Sequence, residues 1–395
     1  MIKNKEKNIE RMLFLGVLGS SLTLFLSAQF MLILRQHTVL NSETELLQKL
    51  GQHFIVGYTH FETILPLVAR GAIGGIFITR RNISTSSGTI LRQHIAILQH
   101  LQRASGRPPL WVATDQEGGL VSRLSPPLTH LPALATLAQY PPAQRNYRVK
   151  QYATRQGQEL AQLGINVNFS PVVDLKFTHD NSFTDFHSFI AKRALSPDPK
   201  IVTQMAQVYS QSLEAQGVLA TVKHFPGLGR VQTDTHYFNA PLTTQRSILE
   251  HQDWLPFRQV VQNTQAWLML SHVQLASVDA DLPCSYSESV IQGVIRHQWQ
   301  HDGILVTDDF NMAPIYYGPG GIGQASVAAL NAGVDLILLA YDGRQYYPAM
   351  AAVLHAYQDQ QLNLLRLEAS EQRLQRASTC RFSNLKQYNK NCSNR

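Results

Sequence analysis

The sequence predicts an α/β protein: a closed (β/α)8 barrel of the TIM type, one large domain, preceded by an N-terminal transmembrane helix. Three observations predict it. Eight short, β-rich apolar runs recur along the 395 residues. The intervals between them are long enough for crossover helices. The residues directly after several runs are polar or charged, as at the strand tips where barrels build their sites.

The chain opens with a lysine-bearing flank, residues 1–11. Met12 to Leu34 then forms an uncharged, mostly apolar run bounded by Arg11 and Arg35. Its length matches the roughly 20 residues a helix needs to cross a bilayer. The lysines assign the flank to the cytoplasm and send the remainder outward, to the periplasm or cell exterior of a bacterial inner membrane. A cleaved signal peptide is the competing reading. Leu26 fits badly three residues before a cut after Ala28, and no lipoprotein cysteine follows the run.

The eight runs come next: Phe54-Ile55-Val56, Gly75 to Ile78, Leu110 to Ala113, Val167-Asn168-Phe169, Leu219 to Val222, Trp267 to Leu270, Ile304-Leu305-Val306 and Leu336 to Leu339. Most are continuously hydrophobic, as in a parallel sheet covered on both faces. Helices are expected over 199–217 and 286–299. A doubly wound open sheet is the structural rival, but its phosphate-binding glycine fingerprint follows none of the runs. One helix over 344–377 closes a domain spanning 45–377, and 378–395 reads as a loose basic tail.

Charge and cysteines narrow the partners. The net +7 divides into +3 over residues 1–35 and +5 over 371–395, which leaves −1 for the middle. Basic ends on a neutral body suit a membrane surface or an anionic cell wall, not a nucleic-acid groove. Cys284, Cys380 and Cys392 show no metal spacing. The last two pair only in an oxidising compartment; two thiols in a loose tail are the alternative.

The chemistry gathers after the runs. Asp115 follows the third, Lys223 and His224 the fifth, Ser271 and His272 the sixth, Asp308 and Asp309 the seventh; Asp234-Thr235-His236 lies in the loop after the fifth. Taken singly, each has a plain alternative: a strand-end Asp caps the next helix, and a lone His is a hydrogen-bonded structural residue. Their coincidence on one rim suits a polyhydroxylated ligand. No HExxH, metal-ligand trio or GxSxG elbow is present, so no metal or cofactor is expected. A carboxylate plus a proton donor is the chemistry of glycosidic cleavage, and a histidine titrates where such a donor must.

These residues also form an ordered series: Gly74 to Phe77 with Arg81-Asn82-Ile83; Asp115-Gln116-Glu117-Gly118-Gly119 with Arg123 and Leu131-Pro132; Gly164 to Asp174; Lys223-His224-Phe225-Pro226-Gly227; Asp234-Thr235-His236; Leu255-Pro256-Phe257; Ser271-His272-Val273; Gly303 to Met312. Over roughly 50–345 the chain resembles the single-domain bacterial β-N-acetylglucosaminidases of glycoside hydrolase family 3. The resemblance implies a retaining β-N-acetylhexosaminidase. In it Asp308 is the nucleophile, His236 the general acid/base and Asp234 its dyad partner, while Asp115, Lys223, His224 and Arg193 hold sugar hydroxyls. The implied substrate is a muropeptide or chito-oligosaccharide. Three departures stand out: Leu228 replaces a second His in the Lys-His-Phe-Pro-Gly-His-Gly loop, Leu120 stands where Arg is common, and the Arg193 segment differs from Arg-Ser-Phe-Gly. They keep two other readings open: a glycan-binding relative without catalysis, and a β-glucosidase or phosphorylase of the same family.

Overall fold

A computed structural model describes residues 27, 30–83, 88–177 and 188–383, with side chains through 379. Eight parallel strands close into one barrel: β1 Phe54–Gly57, β2 Gly75–Ile78, β3 Trp111–Thr114, β4 Val167–Asn168, β5 Leu219–Phe225, β6 Trp267–Leu270, β7 Leu305–Asp309 and β8 Leu336–Leu339. All eight fall on the runs named above. Each strand pairs with its neighbours in chain order, and β1 closes on β8 through Phe54–Ile337 and Val56–Leu339.

The runs are continuously apolar because their two faces meet different cores. Ile55, Phe77, Trp111, Ala113, Val167, Leu219, Trp267, Met269, Val306 and Leu338 fill the barrel. Phe54, Val56, Ile76, Val112, Leu268 and Ile337 point outward into the layer packed under the helices. Trp111 and Trp267 meet edge to face at 5.0 Å inside, and Phe77 stacks on Phe169 at 5.6 Å. Buried asparagines mark the β3–β4 seam: Asn166 bonds the backbone of Leu110 and Val112, and Asn168 that of Gln116. Their amides act there as extra backbone groups.

Two expected helices are present, as Pro199–Glu214 and, wound as a π-helix, Ser289–Gln298. The single helix expected over 344–377 is instead two, Tyr346–Gln358 and Leu364–Ser383. Gln360 adopts φ 58°, and the Gln361 amide turns back to the Ala356 carbonyl, a left-handed helix stop made without glycine. Asn363 then accepts from the Arg366 amide and starts the second helix. That helix places Leu374 and Ala377 against the barrel interior, as a plug in the N-terminal mouth. It runs through residues 378–383, so the tail expected as loose from 378 is helical at its start; 384–395 lie outside the described residues.

Most of the Met12–Leu34 run also lies outside the described residues. Its end belongs to a helix over 30–40. Among the described residues no helix is long and apolar enough to cross a membrane. The Cys380 and Cys392 side chains are not among those described.

Candidate active site

Strand periodicity aims the polar groups. In β7, Val306 faces the barrel interior, so Asp308, two residues on, faces the axis at the C-terminal mouth. The same parity carries Leu219 to Lys223 in β5, and Trp111 and Ala113 to Asp115 and Glu117 after β3. Asp309 points the other way. It accepts from Asn311 (backbone 3.1 Å, side chain 2.8 Å) and from the Ala340 and Tyr341 amides at 2.9 and 3.0 Å. It is a structural clasp between the ends of β7 and β8. Burial, helped by the neighbouring Asp308 charge, lifts its carboxyl to about 6.

Asp308 is half-buried and accepts from the Asp309 amide at 2.8 Å. Burial alone would raise its pKa. The nearby imidazoles of His224, His272 and His236, with the hydrogen bond from the Asp309 amide, outweigh it and hold the carboxyl below its usual range. Three imidazoles, one at the end of β5 (His224), one on the loop after it (His236) and one just past β6 (His272), therefore lie close to Asp308. His272 is buried and kept toward its neutral form by that burial. Its Nε2–H donates to the Asp309 carbonyl at 3.0 Å, and its Nδ1 faces the Ser285 hydroxyl at 2.9 Å. It thus fixes the peptide just beyond Asp308.

His236 stands on the long loop after β5. Asp234, fully buried, accepts from both the His236 amide (3.0 Å) and ring Nδ1 (2.8 Å). The ring is about one-third exposed, and its Nε2 edge is directed away from Asp234. The His236 carbonyl accepts from the Ala313 amide at 2.9 Å, which ties this loop to the segment following Asp308.

The remaining predicted residues converge in one buried ion network. Lys223 contacts Asp115 at 2.6 Å and Glu117 at 2.7 Å. Arg193 grips Glu117 with two bonds, 2.7 and 3.0 Å, and its Nη2 also reaches His224 Nε2 at 3.3 Å. His224 Nδ1 donates to Asp174 at 2.8 Å. Burial would neutralise Lys223, but Asp115 and Glu117 hold it charged, above its usual range. Burial likewise opposes Glu117 ionisation, yet Arg193 and Lys223 drive its carboxyl down to about 2. All seven predicted residues thus lie at the same end of the barrel.

Two residues quoted only within motifs prove central. Glu117 neutralises both Arg193 and Lys223; its spacing of two from Asp115, on one strand face, was the available signal. Asp174 is fully buried and accepts from His224 and from the Leu228 amide at 2.7 Å. The Leu228 amide ties this loop to Asp174, while the Leu228 side chain packs in the outer core. Arg193 keeps its grip through an altered segment, with Nη1 donating to the Ser188 carbonyl at 2.9 Å. Leu120 is exposed. Among the described residues no cluster of metal-ligating side chains occurs.

Comparison with known proteins adds the following. A family description, "Glycosyl hydrolase family 3 N terminal domain", matches residues 45–377. A β-hexosaminidase from Nitrosomonas eutropha is 30% identical over 73% of this chain and 79% of its own length. β-Hexosaminidase A from Pseudoalteromonas piscicida is 28% identical over 79% of this chain, which spans only 54% of that protein. Among solved structures, a glycoside hydrolase family 3 β-N-acetylglucosaminidase from Paenibacillus sp. FPU-7 superposes with a TM-score of 0.77 at 29% identity, covering 87% of this chain and 64% of its own. LpqI from M. tuberculosis superposes with a TM-score of 0.74 at 28% identity, covering 84% and 93%.

Proposed function

The chain belongs to glycosyl hydrolase family 3, and from that premise we propose that it is a retaining β-N-acetylhexosaminidase releasing terminal β-linked N-acetylglucosamine. The names of its relatives support the reaction class. The observation that carries the mechanism is the Asp234–His236 pair, bonded through the His236 carbonyl to the segment just beyond Asp308. A carboxylate held ionised in a half-buried cavity is suited to attack an anomeric carbon. Asp308 forms the glycosyl-enzyme while His236 protonates the departing oxygen. His236 then takes a proton from water, which displaces Asp308 with net retention. Asp234 orients the ring and stabilises its cationic form.

Asp115, Lys223, Arg193 and His224 grip the sugar hydroxyls as one preorganised network. Muropeptides or chito-oligosaccharides supply the substrate. The run from Met12 to Leu34 anchors the enzyme in a bacterial inner membrane, with the barrel outside.

The test compares the native chain with Asp308→Ala and His236→Ala on aryl and alkyl N-acetylglucosaminides. Asp308→Ala abolishes turnover. His236→Ala spares aryl substrates, whose leaving groups need no proton, far more than alkyl ones. Equal loss on both refutes the acid/base role. Faster turnover of plain glucosides, or a requirement for phosphate, refutes the substrate class.

A further inference from the structure

Asp308 stands on a strand that runs out of step with one of its neighbours. On the β6 side, β7 pairs residue for residue: Leu305 with Leu268, Val306 with Met269 and Thr307 with Leu270. On the β8 side the register shifts. From Val306 to Asp309 β7 advances three residues, while β8 advances two, from Leu336 to Leu338. β7 therefore carries one extra residue on that side. Such bulges re-aim the side chains they carry and recur next to active sites. Asp308 lies inside this one.

A bulge interrupts the ladder, and buried amides must then find other acceptors. Side chains supply them. The Leu338 amide donates to Thr307 Oγ1 at 3.0 Å, and Thr307 is fully buried. Past the bulge, the Ala340 and Tyr341 amides donate to Asp309 Oδ1 and Oδ2. Between these bonds the ladder resumes once, with the Phe310 amide donating to the Leu338 carbonyl at 3.0 Å. Thr307 and Asp309 share one strand parity, opposite to that of Asp308. Both sequence neighbours of Asp308 are thus fastened to β8 by their side chains, while Asp308 itself faces the axis.

The fastening acts on Asp308 through the main chain. Asp308 Oδ1 accepts from the Asp309 amide. A bond between adjacent residues is set by the backbone at those two positions, and Thr307 and Asp309 hold that backbone from either side. His272 adds a third hold, from the β6 side, on the Asp309 carbonyl.

We infer that Thr307 and Asp309 are positioning residues for the nucleophile, a bracket across the bulge that fixes the direction of the Asp308 carboxylate. The inference rests on the retaining-glycosidase reading given above. In it neither residue touches the sugar; both act through Asp308. Attack on an anomeric carbon needs near-attack geometry, and a misplacement of about 1 Å costs on the order of 10²-fold in rate. Sugar binding is separate. Asp115, Lys223, Arg193 and His224 are held by one another and by Glu117 and Asp174, at the other strands.

The experiment uses the full chain. Thr307→Val removes the hydroxyl at nearly constant shape, and Thr307→Ser keeps it. Asp309→Asn puts an N–H donor where one of the two carboxylate oxygens accepted. Rates on an aryl N-acetylglucosaminide are taken per folded molecule, with the folded fraction read from near-ultraviolet circular dichroism. N-acetylglucosamine is titrated as a competitive inhibitor. In Thr307→Val and Asp309→Asn, kcat/KM falls about 10²-fold while the inhibition constant stays within about three-fold of native. Thr307→Ser restores most of the rate lost in Thr307→Val. Native kcat/KM per folded molecule in both variants, with only fewer molecules folded, overturns the inference. An inhibition constant that worsens as much as kcat/KM falls overturns it too, as does a Thr307→Ser rate as low as that of Thr307→Val. Native protein that turns over no N-acetylglucosaminide removes the glycosidase reading, and the inference with it.

Discussion

Replacing Glu117 with Gln leaves two buried cations undercompensated. Glu117 is 6% exposed and Lys223 2% exposed, and both ionic partners of Glu117 lie within 2.7 Å. The Glu117 carboxyl is drawn from its usual 4.5 to about 2. That interval is worth about 3 kcal/mol, at roughly 1.4 kcal/mol per pH unit. The same figure is the low end of the ~3–5 kcal/mol cost of removing one partner from a buried pair. Because the folded pKa is depressed, this stability is fully present above pH 4.5 and drains away as pH falls toward about 2. Urea unfolding of native protein and Glu117→Gln should differ by about 3 kcal/mol at pH 7 and converge as pH drops below 4.5. Turnover falls as well, since Arg193 and Lys223 lose their common anchor. A difference under about 0.5 kcal/mol at pH 7, the size expected of an ordinary surface change, would refute the linkage.

Other perturbations separate catalysis from support. Asp234→Asn keeps an acceptor beside His236 but loses the charge behind it; kcat should drop about 10²–10⁴-fold with little change in melting temperature. Asp174→Ala removes the acceptor for His224 and for the Leu228 amide. It should lower both stability and sugar affinity, measured by calorimetric melting and by product inhibition with N-acetylglucosamine. Leu228→His puts an imidazole into outer core already supported by the Leu228 amide; a loss of about 1–3 kcal/mol is expected, with no gain in kcat. Leu374→Ala opens the plug at the far mouth and should cost about 2–5 kcal/mol while kcat/KM stays unchanged.

The barrel was legible in the sequence because both faces of its strands are buried, so each strand appears as an unbroken apolar run. The rim was legible because β parity brings Asp115, Lys223 and Asp308 to the mouth from three separate runs. Two kinds of feature were not. Glu117 and Asp174 make their contacts across 76 and 50 residues of chain, to Arg193 and to His224, and no local pattern records such pairing. The break at Gln360 lacks the glycine or proline that usually marks a helix stop, so two helices looked like one. At Leu228, where the loop departs from its usual second His, the structure shows an apolar side chain seated in the outer core and an amide bonded to Asp174, a packing environment the local sequence does not record.

The central claim is tested most directly by the mass of the His236→Ala protein during turnover of an activated aryl N-acetylglucosaminide. Without the imidazole to activate water, the first step outruns the second, and one N-acetylhexosaminyl unit should accumulate on the peptide containing Asp308. Protein that turns over without any adduct, or carries the sugar on Asp115 instead, would contradict the account.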